Sequence, residues 1–164
     1  MTRFVAMAVL TVSLLLSGQF AAAQPEEGVY YRIKNVNSKK MLALGIGAAK
    51  VDEAQIVQRA RGEDERQQWK FVKVGKYFKI ISRKSEQELN VRSKDEEAPI
   101  VASTDGKNAQ WSLEKEGDAY LIKSRNSGLV VDVADESKDR KAPVIQYRNH
   151  EGRNQLFELE PVTE

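Results

Sequence analysis

Apolar residues along the chain recur in a period of two, in short runs rich in β-branched and aromatic side chains and separated by polar loops, which predicts strands and not helices. The same arrangement occurs three times. Each copy opens with an aromatic residue and an isoleucine two positions on: Tyr31 and Ile33, Phe78 and Ile80, Tyr120 and Ile122. Nine residues later comes an apolar pair around one variable residue: Leu42 and Leu44 around Ala43, Leu89 and Val91 around Asn90, Val131 and Val133 around Asp132. A β-branched pair follows after a polar stretch, as Ile56-Val57, Ile100-Val101 and Val144-Ile145. Each copy closes on an aromatic with an apolar residue two later: Trp69 and Phe71, Trp111 and Leu113, Phe157 and Leu159.

Four matched anchors in three copies define an internal repeat, at about residues 29–74, 75–117 and 118–162, with about four strands in each. A four-stranded unit of this length also suits a propeller blade, but propellers usually need ~4 to 8 blades, so a threefold barrel is the better expectation. The charged runs starting at Gly62, Lys94 and Asp135 fall between anchors and read as solvated loops. The last of them, with Asp132 just before it, lacks the residue order and turn glycine of an EF-hand loop, so no metal site is expected.

Composition narrows the function. The first residues place Arg3 before an apolar run to Leu16 and the triplet Ala21-Ala22-Ala23, the build of a secretory signal peptide spanning 1–23. The expectation is a secreted or periplasmic protein with one domain over 24–164 and no membrane anchor, the apolar run being short for a span of ~20 residues. Lysine and arginine are scattered among aspartate and glutamate at a net charge of +2, so no nucleic-acid footprint is indicated. Cysteine is absent, which excludes disulfide bracing and a cysteine-linked lipid. With one histidine and no cysteine, nucleophilic and zinc chemistry lack their parts, and the chain is not expected to be an enzyme.

The opening Tyr31-Arg32-Ile33, the Leu-x-Val strand and a closing Gln-x-Trp resemble the ricin B-type β-trefoil, a lectin and carbohydrate-binding family. The closing element stands as Gln67-Gln68-Trp69, as Ala109-Gln110-Trp111 with its glutamine replaced, and as Gln155-Leu156-Phe157 with phenylalanine for tryptophan. The resemblance implies an all-β fold, a six-stranded barrel capped by three hairpins. It also implies a sugar-binding repeat with an aspartate in the Leu-x-Val strand, an aromatic after the β-branched pair and a polar residue before the closing glutamine.

Only the third repeat matches that pattern, at Asp132, Tyr147 and Asn154 with Gln155 beside it, while Asn149 and His150 in the loop after Tyr147 are secondary candidates. The first repeat has Ala43, Arg59 and Arg66 at those places, and the second has Asn90, Ser103 and Asn108. The chemistry suits a sugar: a carboxylate accepts charge-assisted bonds from hydroxyls, a tyrosine ring covers the apolar face of a pyranose, and an amide both donates and accepts. The expectation is that Asp132 points outward from the core into a shallow pocket and accepts from two hydroxyls, with its pKa at or below the ordinary carboxylate value. No cofactor is expected. Weak binding of a carbohydrate through the third repeat is the expected function. The alternative is a protein-binding trefoil, such as a protease inhibitor, acting through the loop of Arg140 and Lys141.

Overall fold

In a computed structural model the described residues are 24–45 and 53–163. The expected signal peptide lies outside them. Twelve strands are described: β1 (Tyr30–Asn35), β2 (Met41–Leu44), β3 (Ala54–Arg59), β4 (Trp69–Val74), β5 (Tyr77–Ser82), β6 (Glu88–Val91), β7 (Ile100–Ser103), β8 (Trp111–Glu116), β9 (Ala119–Ser124), β10 (Val130–Val133), β11 (Val144–Tyr147) and β12 (Phe157–Pro161). Every pairing is antiparallel, and six strands close on themselves in the order β1, β4, β5, β8, β9, β12 and back to β1. Closure removes the exposed edges an open sheet would present. The other six form three hairpins, β2–β3, β6–β7 and β10–β11, which cap the barrel. This is a β-trefoil with one hairpin cap from each repeat.

The anchors of the repeat build the core. Ile33, Ile80 and Ile122 are fully buried in the barrel strands, and so are Leu42, Leu89 and Val131 in the caps. The two tryptophans tie barrel to cap, since Trp69 Nε1 donates to Leu42 O at 3.1 Å and Trp111 Nε1 to Leu89 O at 2.9 Å. Phe157 is as deeply buried but has no such donor, so the third repeat lacks this tie. The β4–β5 and β8–β9 turns each need a positive φ, which Gly75 (61°) and Gly117 (62°) adopt without steric cost.

Neighbouring caps are joined by a repeated glutamine device. Gln146 Nε2 donates to Ser93 O at 3.1 Å and Asp95 O at 2.6 Å while its Oε1 accepts from Ser127 Oγ. Gln58 does the same with Ser137 O, Asp139 O and Ser38 Oγ. The charged loops are therefore exposed at their side chains but pinned by their backbones. One of them, from the second repeat, carries Glu97 to the third repeat, where its backbone N–H donates to Gln146 O at 2.9 Å.

Candidate functional site

Between the β10–β11 cap and the short 3-10 turn Arg153–Gln155 lies a cavity of about 750 Å³, within the ~300 to 1,000 Å³ usual for ligand sites. Asp132, Tyr147, His150 and Asn154 line it, joined by Glu97 from the second repeat and by Asp135 and Glu136.

Asp132 is not an outward, solvated side chain. It is 3% exposed, and all four residues of β10 are buried. The core covers one face of the strand, and the turn carrying Asn154 and Gln155 covers the other. The period-two alternation thus separates two covered faces, not a wet face from a dry one.

Its carboxylate accepts from Asn154 Nδ2 at 2.9 Å on Oδ1, and from Gln155 Nε2 at 2.8 Å and His150 Nε2 at 3.3 Å on Oδ2. A carboxylate offers about four acceptor positions, so three are taken within the chain. Room remains for about one ligand hydroxyl, not the two expected from the sequence. Burial raises the pKa of Asp132 above its ordinary value, outweighing the hydrogen bonds from Gln155, His150 and Asn154 and the charge of His150 that favour the ionised form. The upward direction replaces the expectation of an ordinary or lowered value.

Gln155 is fully buried and faces inward as a latch. Its Oε1 accepts from His150 N at 3.0 Å, and its Nε2 donates to Arg148 O at 2.8 Å as well as to Asp132. Gln67 holds the first repeat's loop in the same way, through Gly62 N and Ala60 O. The glutamine of the closing element is thus a loop clamp that the third repeat also uses to fix its carboxylate. Asn154 is 2% exposed; its Nδ2 also donates to Val133 O, and its buried Oδ1 has no hydrogen-bond partner. Gly152 lies against it, and a Cβ there would collide with both Asn154 Oδ1 and the His150 ring. Tyr147 is half-buried, edge-on to His150 with ring centroids 6.1 Å apart, and its ring lies 5.2 Å from the Arg148 guanidinium. Asn149 turns away: its Oδ1 accepts from Glu151 N, and it borders a separate cavity with Leu121 and Leu156.

The corresponding place in the second repeat is filled differently. Asn90 stands where Asp132 does but spends its amide on Asp105 O and Val91 N. Arg92 fills the neighbouring space, paired with Glu53 and Asp105 and donating to Ser103 Oγ at 2.9 Å. Sequence reasoning missed Glu97, whose placement depends on the inter-repeat bonds of Gln146. The signal that could have found it is the Ser127–Gln146 pair, which matches Ser38–Gln58 in the first repeat.

Residues 18–103 and 107–164 match the ricin-type beta-trefoil lectin domain-like family, and the chain belongs to it. It is similar to the crystal structure of ThreeFoil, a designed threefold-symmetric protein, at 32% identity and TM-score 0.77 over 81% of this chain and 99% of that one. An exo-beta-1,3-galactanase of Clostridium thermocellum, 1,3Gal43A, is 32% identical with TM-score 0.78 over 85% of this chain. The likeness spans 31% of the galactanase, about a third of its length. The ricin B-like lectin of Macrolepiota procera, solved in complex with lactose, shares the fold at 20% identity and TM-score 0.74, over 84% of this chain and 99% of the lectin. No curated protein matches the chain.

Proposed function

We propose that the chain is an exported carbohydrate-binding module that takes a sugar in the third-repeat cavity and performs no catalysis. The observation that carries this reading is Asp132, a carboxylate kept buried at the cavity floor by three donors, at a cost that an unused side chain would not justify. A sugar hydroxyl donates to the remaining position on the carboxylate, and the ring face of Tyr147 covers the C–H face, while Asn154 holds the carboxylate in place from behind. Family membership and the lactose complex of the Macrolepiota lectin support the class of ligand.

A single site with one free carboxylate position and one ring predicts weak binding, a constant of high micromolar to millimolar, about 4 to 6 kcal/mol. Avidity then requires several chains on one polysaccharide. A glycan array on the purified protein tests the reading, with binding that Asp132→Asn abolishes as the expected result. Release of reducing sugar by the protein would contradict the non-catalytic part. Arg140 and Lys141 are exposed on the loop that Gln58 anchors. Capture of a protein partner that is lost in Arg140→Ala but kept in Asp132→Asn would favour the protein-binding alternative.

A further inference from the structure

The third-repeat cavity is rich in acceptors and poor in donors. Asp132 lies at its floor, and Glu97, Asp135 and Glu136 stand at its rim, all three exposed and in no ion pair among the described residues. The Arg148 guanidinium is taken up by the Tyr147 ring and by Glu96 at 3.8 Å. His150 is the one lining residue able to carry a positive charge, and its Nε2 already faces Asp132. All three rim carboxylates sit in left-handed backbone, at φ 65° for Glu97, 57° for Asp135 and 51° for Glu136, a conformation uncommon for such residues.

A metal ion does not fit this arrangement, because among the described residues no group of three or more carboxylates or histidines could hold one. The negative charges are spread around a cavity of about 750 Å³, far more room than a single ion fills. A neutral sugar hydroxyl carries one donor and two acceptor positions, so most of its capacity meets few donors here. A protonated amine is three donors with no acceptor and carries the complementary charge. Resting on the sugar-binding reading above, we infer that the preferred ligand is a sugar with a free amino group, a hexosamine or a deacetylated aminopolysaccharide, and not its N-acetylated or neutral counterpart.

Three exposed carboxylates acting at the ordinary size of surface ion pairs combine to about a tenfold preference. Protein-observed NMR titrations near pH 6.5, where an amine of pKa ~7.7 is charged, with glucosamine, galactosamine, their N-acetyl forms, glucose and galactose, measure it. The expected result is that the amine of at least one pair binds about tenfold tighter than its acetylated and neutral partners. The ratio should shrink toward one at ~0.5 M salt and in the variant Glu97→Gln, Asp135→Asn, Glu136→Gln. Equal or weaker binding of the amines, with neutral-sugar binding still lost in Asp132→Asn, overturns the amine preference and leaves the sugar-binding reading standing. Absence of binding for all six sugars and for chitosan and chitin oligomers overturns both.

Discussion

Replacing Gln155 with methionine keeps the side-chain volume and removes three hydrogen bonds at once. His150 N, Arg148 O and Asp132 Oδ2 lose the partner that joins them. The first two are backbone groups of a loop with exposed residues at 148–151, so water replaces part of what they lose. Asp132 Oδ2 is buried and keeps only the longer bond from His150. A net ~1 kcal/mol for each backbone bond and ~1.5 to 3 kcal/mol for the bond to a buried carboxylate give a loss of about 3.5 to 5 kcal/mol. For a domain of this size that lowers Tm by roughly 8 to 15 °C. Sugar affinity should fall as well, because the carboxylate is no longer held in one orientation. Gln67→Met provides the control, since Gln67 clamps the first repeat through two backbone groups and touches no carboxylate. It should cost about 2 kcal/mol and leave sugar binding unchanged. Calorimetric melting and titration of both variants measure the effects. A Gln155→Met protein with the melting temperature and affinity of the parent would refute the latch.

Other consequences can be tested separately. Burial raises the pKa of Asp132, so the folded chain takes up this proton more readily than the unfolded one. Sugar binding should begin to fail on acidification while still above the ordinary carboxylate value of 3.8. Over that same window this group adds to stability as pH falls, so binding should be lost without unfolding, as parallel titration and circular dichroism would show. Gly152→Ala should weaken sugar binding at least tenfold through the His150 ring and Asn154, with Tm changing less than in Gln155→Met; unchanged affinity would mean the ring simply swings clear. Leu89 is fully buried in the core, so Leu89→Ala should cost ~2 to 5 kcal/mol in a denaturant melt.

The threefold plan was legible because each anchor does one job in all three repeats. The spacing from Ile33 to Leu42, Ile80 to Leu89 and Ile122 to Val131 is the distance from a barrel strand to its cap, and all six side chains are fully buried. Asp132, Tyr147 and Asn154 were legible as a group for the same reason, since each fills a register position of the repeat. The burial of Asp132 was not, because a period of two says which residues share a face and nothing about what covers it. Glu97 reaches the cavity from another repeat through the bonds of Gln146, a tertiary placement to which local pattern is blind. Asn149 was singled out for closeness in the chain, yet the turn at Glu151, with φ 61°, sends it to the other side. Arg92 is a similar case: nothing in its sequence neighbourhood marks it as the group beside Asn90 in the second repeat, which depends on Glu53 and Asp105 converging on it.

Sugar binding through the buried carboxylate of the third repeat is measured by a calorimetric titration at pH 7 of the parent, Asp132→Asn and Tyr147→Ala with the best glycan from the array. In Asp132→Asn one carboxylate oxygen becomes a donor facing Asn154 Nδ2 or Gln155 Nε2, so the amide network must rearrange and the charge is lost. The predicted result is one site per chain, with affinity at least tenfold weaker in Asp132→Asn, on the order of 1.5 to 3 kcal/mol for a charge-assisted bond, and weaker also in Tyr147→Ala. Three equivalent sites per chain, or an affinity unchanged in folded Asp132→Asn, would contradict it.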